Sequence, residues 1–185
     1  MNIPIQHIIG TAALIGLVVS AGLVYSIFTS AAETDVKKQQ LSQISESVAL
    51  NLVEMINLVT FANYTYEPMI KIVDLPVDLG GSTYTIELVN GTNEGKGYFV
   101  RANLTSNQHI TASSVLLSNS GENLRIYSSP TTSEISAGMD KTAVICSSVV
   151  YGKSGTVIWG RAQMETEEEG NSAVRFIEVG LGWLK

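Results

Sequence analysis

The feature that most constrains this chain is residues 8–32, near the N-terminus, which contain no formally charged side chain. Residues 8–28 alone reach the roughly 20 apolar residues that a membrane-spanning helix requires. The stretch passes without a Pro or Gly break into a polar-faced helical pattern, so we expect one long helix that is apolar at its start. Signal-peptide cleavage at Ser30-Ala31-Ala32 is the alternative; it is disfavoured because residues 1–7 lack Lys and Arg and the helical pattern continues.

The predicted helix becomes amphipathic beyond Ala32. Leu50 and Leu58 lie outside its main apolar stripe, so more than one face is expected to be covered. At 57 residues, from Ile5 to Phe61, the helix would be on the order of 85 Å long. It therefore needs lateral support, either from its own β domain or from copies of itself. The stripe recurs at steps of three and four: Leu41, Ile44, Val48, Leu52, Met55, Ile56 and Val59.

The remainder of the chain alternates polar and apolar residues between turn signals, as β-strands do. We expect roughly seven or eight short strands, near residues 69–73, 82–89, 98–104, 109–117, 123–128, 142–151, 155–164 and 173–183. The predicted fold class is α+β, with the long helix followed by an antiparallel, immunoglobulin-like β-sandwich. The predicted domains are residues 1–61 for the helix and residues 62–185 for the β domain.

Charge and motif content argue against nucleic-acid binding and catalysis. The formal net charge is −6 and Lys and Arg do not cluster, whereas phosphate binding needs such clusters. His7 lies in the apolar stretch and His109 in a predicted strand, so no zinc-ligand set is formed. The sequence has no Gly-x-Ser-x-Gly elbow, Walker loop or dinucleotide fingerprint. We therefore expect no enzymatic activity, no metal and no cofactor.

Three further features have ordinary structural interpretations. The glycine-rich segment 91–97 joins two predicted strands and opens no helix, which favours a hairpin loop over a phosphate site. The acidic run at 165–171 lacks the spaced Asp/Asn pattern of a Ca²⁺ loop and predicts a solvated hairpin tip. The single Cys146 lies in an apolar strand and predicts a core residue, with an intermolecular disulfide as the alternative.

Two sets of residues are candidates for modification and assembly. Asn63, Asn90 and Asn103 each begin an Asn-x-Ser/Thr sequon, and an exported chain is expected to carry glycan on at least one of them. Small residues spaced by four form a ridge of the kind that lets helices approach closely. Small residues are common in any membrane span, but the second apolar stripe favours self-association. The ridge residues are Ala12, Gly16 and Ser20.

The uncharged segment from Ile3 to Phe28, its amphipathic continuation to about Phe61 and the Ser/Thr-rich β domain with sequons resemble an archaeal type IV pilin. Bacterial pilins place a Glu near the fifth mature residue; this chain has Ile5 and Gln6, which favours the archaeal branch. Archaellins, the subunits of the archaeal rotary filament, are similar at this level. Family precursors carry a short basic leader, and nothing basic precedes the apolar segment here, which leaves the processing route open.

The resemblance implies a structural function. A pilin waits in the membrane, is extracted by an assembly ATPase and its platform protein, and forms a homopolymer with helices in the core and β domains outside. The expected product is a glycosylated cell-surface filament that adheres to surface glycans or to host or abiotic surfaces. A single-pass, membrane-anchored extracellular binding domain is the alternative from another class.

Overall fold

The computed structural model describes residues 5–62, 68–91, 97–117, 124–127, 133–136, 142–146, 149–151, 155–166 and 173–185. It confirms the α+β class: one long helix, α1 (Ile5–Phe61), precedes antiparallel β-sheets. The chain forms two compact units, Met1–Lys37 and Lys38–Lys185. The predicted division at Phe61 marks the end of the helix, but the second half of α1 belongs to the unit that contains the strands because its apolar stripe is buried there.

Strands β1 (Met69–Val73) and β3 (Tyr98–Leu104) have the bounds that the alternation predicts. The predicted strand at 142–151 is instead two strands, β7 (Thr142–Cys146) and β8 (Val149–Tyr151), which lie in different sheets. Strand β6 (Ser133–Ser136) was not expected, since Ile135 is its only apolar residue. The described part of the chain contains β1 (Met69–Val73), β2 (Tyr84–Asn90), β3 (Tyr98–Leu104), β4 (Thr111–Leu117), β5 (Leu124–Ile126), β6 (Ser133–Ser136), β7 (Thr142–Cys146), β8 (Val149–Tyr151), β9 (Thr156–Thr166) and β10 (Ala173–Leu184).

The strands form two sheets. The six-stranded sheet has the order β1-β9-β10-β7-β6, with β5 also paired to β10, and the four-stranded sheet has the order β4-β3-β2-β8. Neighbouring strands are antiparallel except β5 and β10, which are parallel. Two sheets that share one core agree with a sandwich, while the immunoglobulin-like topology stays a prediction.

The helix and both sheets contribute to one large hydrophobic core. Along β2 and β3 every second side chain is buried, as expected for a sheet with one covered face. Each fully buried large apolar side chain contributes about 1.5–3 kcal/mol. The fully buried members include Leu41, Val48 and Leu52 from α1, Tyr84, Ile86 and Val100 from the four-stranded sheet, and Ile158 and Leu181 from the six-stranded sheet.

The helix lies against the six-stranded sheet at a glycine. A Cβ atom on Gly160 would be 3.0 Å from Met55 Cγ and 3.2 Å from Val59 Cγ2, so the absent side chain allows the close approach. The Arg175 side chain of β10 donates hydrogen bonds from Nη2 to the carbonyl oxygens of Val59 and Ala62, both at 3.0 Å. Val59 lies in the last turn of α1 and Ala62 directly follows the helix. Carbonyls at a helix end generally lack intrahelical partners, so the arginine stabilises the C-terminus of α1.

A second, smaller cluster surrounds Trp159. Its indole is fully buried and meets Tyr127 edge-on, with ring centroids 5.1 Å apart, and its Nε1 donates to the Leu181 carbonyl at 3.3 Å. The ring lies directly over Gly180, where a Cβ atom would be 2.7 Å from the indole. The tryptophan therefore requires a glycine on the neighbouring strand.

Gly180→Ala should destabilise the chain by about 1–3 kcal/mol, because the new methyl group displaces the Trp159 ring from a close-packed site. The measurement is the chemical unfolding midpoint of the full chain in detergent micelles, followed by tryptophan fluorescence. Gly22→Ala is the matched control, since a Cβ there meets nothing within 4 Å. Equal midpoints for Gly180→Ala and the unaltered chain would show that the indole can move at no cost.

Candidate functional site

The first half of α1 presents its apolar side chains to the outside on every face. All described side chains from His7 to Val36 are exposed, with Leu17 at 68 % and Phe28 at 71 %. An 18-residue window in this helix has a mean hydropathy of 2.2 and none of it is buried. By length and composition the helix can cross a membrane. So large an exposed apolar surface is unstable in water and requires another environment.

Three hydroxyl groups within this apolar stretch donate hydrogen bonds to the helix itself. Thr11 Oγ1 donates to the His7 carbonyl at 2.9 Å, Ser20 Oγ to the Leu17 carbonyl at 2.9 Å and Thr29 Oγ1 to the Tyr25 carbonyl at 3.0 Å. Polar groups that bond back to the helix can enter an environment without water at low cost. These three hydroxyls therefore allow the segment to lie in lipid or in a packed helical core.

The small-residue ridge lies on this exposed surface. Ala12, Gly16 and Ser20 are all exposed, and a Cβ built on Gly16 meets nothing within 4 Å. The four-residue spacing places them on one face of the helix, where a second helix could approach closely. Their role in helix packing stays a prediction.

The second stripe packs within the chain's own β-containing unit. Leu41, Ile44, Val48, Leu52, Met55 and Val59 are buried, and Ile56 is half-buried against the same core. Of the two supports that the sequence left open, the chain's own sheets therefore cover this stripe. Outside the stripe, Leu50 is 64 % exposed, Leu58 50 % and Phe61 87 %. These three side chains leave an apolar surface on the part of the helix that the sheets do not cover.

The predicted sequons lie in different settings. Asn63 lies outside the described residues. Asn90 is exposed and ends β2, where the Gly91 amide donates to the Gly97 carbonyl at 2.8 Å. Asn103 is half-buried in the middle of the four-stranded sheet, and its buried Oδ1 atom has no hydrogen-bond partner in the described part of the chain. Of the two described sequons, Asn90 is thus the more accessible to modification.

The remaining candidates do not form a chemical site in the described part of the chain. His109 lies in an exposed turn before β4, and not in the strand as predicted, because Asn107 Oδ1 accepts a hydrogen bond from its amide and closes the turn. Among the described residues no three His, Cys, Asp or Glu side chains gather as metal ligands. Of the acidic run, 165 and 166 end β9 and the rest lies outside the described residues.

A groove that the sequence did not reveal lies on the four-stranded sheet, on the face opposite the core. Its volume is about 890 Å³, and its lining includes Phe99, Arg101 and Asn103 from β3 with Thr85, Thr111 and Ser113 from the neighbouring strands. The alternation of β3, in which Phe99, Arg101 and Asn103 point away from the buried residues, was the available signal. The contribution of β2 and β4 depends on strand pairing, which the sequence does not show.

No protein-family model, characterised protein or solved structure matches this chain. The resemblance to archaeal pilins therefore stands on the residues of the N-terminal helix and on the order of helix and strands.

Cys146 is a buried core residue, as predicted. Its Sγ lies 3.6 Å from the Leu181 carbonyl oxygen, and burial raises the pKa of the thiol from its ordinary value of 9.0 to about 11. A buried thiol held in its protonated form is poorly reactive. An intermolecular disulfide would require this strand to open.

The raised pKa of Cys146 predicts a loss of stability in alkali. Between about pH 9 and pH 11 the unfolded thiol releases its proton while the folded thiol retains it, so the free energy of unfolding falls as pH rises. In Cys146→Ala this loss should be absent. We expect the unfolding midpoint to fall further between pH 8 and pH 10 in the unaltered chain than in Cys146→Ala; equal slopes would contradict the assignment. Tyr84, whose pKa burial raises to about 12, affects both proteins alike.

Proposed function

We propose that this chain is the structural subunit of an archaeal type IV pilus, which polymerises through its N-terminal helix into a cell-surface filament for adhesion. The observation that carries the proposal is the fully exposed apolar surface of α1 before Lys37. A subunit of this kind occupies two environments in turn, first the lipid bilayer and then a bundle of identical helices. Both keep the apolar surface from water, at roughly 25 cal/mol per Å².

The burial of the second stripe removes it as a contact between copies, so the proposal depends on the first half of α1 and on the apolar side chains outside the stripe. Because the stripe from Leu41 to Val59 is covered by the chain's own sheets, the β-containing unit has a complete core without a partner. The exposed Leu50, Leu58 and Phe61 form a second apolar surface, separated from the first by the charged and polar residues that begin at Glu33. Contact with another subunit would keep these side chains from water as well.

Two other functions would require the same N-terminal helix and β domain. An archaellin-like subunit of a motility filament would need the same helix, and no described residue separates the two kinds of filament. A single-pass membrane-anchored extracellular binding domain would also use the apolar segment. Such an anchor has no use for an apolar surface at Leu50, Leu58 and Phe61, and this favours the filament.

Negative-stain microscopy of sheared cell-surface material distinguishes a filament subunit from an anchor. We expect filaments whose mass-spectrometric composition includes this chain, and Gly16→Leu should abolish them, because a bulky residue on the ridge prevents close helix contact. The control is Val18→Leu, which introduces the same residue away from the ridge. Normal filaments from Gly16→Leu would remove the ridge from the assembly contact, and the absence of this chain from any filament would favour the anchor.

Removal of residues 1–32 should give a soluble, folded monomer. The fragment retains the whole compact unit from Lys38 onward, including every residue of the hydrophobic core, and loses the apolar segment. The full chain freed of detergent should form filaments or aggregate. Light scattering and electron microscopy on both proteins give the comparison. Ordered fibres from the fragment would place the assembly contact in the β-sheets, through strand exchange between subunits.

A further inference from the structure

The groove on the outer face of the four-stranded sheet has the chemistry of a carbohydrate site. We propose that it binds a neutral oligosaccharide carried by a molecule other than this chain. This deepens the adhesive part of the proposed function by naming a ligand class, and the binding can be measured whether or not the chain polymerises.

Three side chains of β3 define the floor of the groove. Phe99, Arg101 and Asn103 are half-buried and point to the same face, at successive intervals of about 7 Å along the strand. An aromatic ring, a planar cation and a planar amide thus stand in a row. A ring offers an apolar surface to the C–H face of a sugar, and planar polar groups can bond to neighbouring hydroxyls. The length of the row fits a short oligosaccharide better than a single sugar.

The amide of Asn103 supplies an unpaired acceptor. Its Oδ1 atom is buried and has no hydrogen-bond partner among the described residues, which is costly for a polar atom. Rotation of the Asn103 side chain toward the groove would expose this oxygen, and a hydroxyl group of a bound ligand would then donate to it and remove the penalty. The hydroxyl side chains of Thr85, Thr111 and Ser113 also line the groove. The site therefore offers several neutral donors and acceptors, as sites for polyhydroxy ligands do.

The charge of the groove favours a neutral ligand over an anion. Arg101 is its one charged lining residue among those described, and the Arg101 guanidinium lies 3.8 Å from the Glu87 carboxylate and 5.3 Å from the centre of the Phe99 ring. The carboxylate offsets the positive charge, and the aromatic ring holds the guanidinium in place. A phosphate or an acidic polysaccharide would meet this carboxylate as well as the cation.

The sugar could come from another molecule or from a glycan attached to this chain, since Asn103 is itself a sequon residue. The structure favours another molecule. Asn103 is half-buried in the sheet, whereas Asn90 is exposed at a strand end and is the better acceptor for modification. A glycan on Asn103 would begin on the groove floor and fill the groove.

The test measures binding to the full chain, produced without N-glycosylation and held in a detergent that has no sugar headgroup. The probes are neutral tri- to hexasaccharides of mannose, glucose and galactose, followed by saturation-transfer NMR and calorimetry, with inorganic phosphate and an acidic polysaccharide as anionic probes. We expect a neutral probe to bind, with affinity lowered at least about fivefold by Asn103→Ala and by Phe99→Ala. Asn57→Ala, which removes an exposed amide from the helix, is the matched control and should bind normally.

If Asn103→Ala fails to fold, two variants at exposed positions on the rim of the groove still test the proposal. They are Ser113→Val and Thr111→Val. Binding of a neutral probe that these variants weaken supports the proposal. No binding, a preference for the anionic probes, or binding that no groove variant changes would overturn it. A native Asn103 that carries glycan would also overturn it, because the groove would then hold the chain's own sugar. If no sugar binds, the proposal of filament formation is unaffected. If Gly16→Leu abolishes filaments, sugar binding is expected to be unchanged. The two proposals can therefore fail separately.

Discussion

The burial of the helical stripe from Leu41 to Val59 is the interaction on which the rest of the structure depends. It brings the second half of α1 into the same core as both sheets, so the sheets are joined through the helix as well as through each other. Two local features make the contact possible: the missing side chain at Gly160, and the Arg175 guanidinium that satisfies the last helical carbonyls. Substitution at either position would loosen the helix from its own sheets.

The first half of the same helix has an apolar surface that no described part of the chain covers. Among the described residues, neither hydrophobic cluster includes a side chain that precedes Leu41, yet residues 8–32 are uncharged and largely apolar on every face of the helix. One continuous helix thus serves two purposes, since its second half completes a domain and its first half needs an external partner. Lipid and identical helices both meet that need, because Thr11, Ser20 and Thr29 direct their hydroxyls to the helix's own carbonyls.

Sequence periodicity predicted the helix and many of the strands, whereas the surfaces that pack against them became apparent only from the structure. The alternation of β3 fixed its bounds, and the steps of three and four fixed the apolar face of α1, because both patterns are local. Which surface covers that face is a long-range property, so the sequence left the chain's own sheets and neighbouring copies equally open. The separation of β7 from β8 also depends on long-range pairing, because one apolar run of the sequence supplies strands to two different sheets. The groove was missed because β2 and β4 supply part of its lining.

The division of the chain also separates what assembly requires from what binding requires. The core that supports the groove begins at Leu41, so changes before Lys37 leave the sheet intact, and changes on the groove face leave the apolar segment intact. Phe99, Arg101 and Asn103 lie on the face of β3 opposite the core, where substitution costs little stability compared with Val100 or Leu104 beneath them. Under the two proposals, a chain built in this way can vary the ligand that it binds without altering the contact proposed for polymerisation.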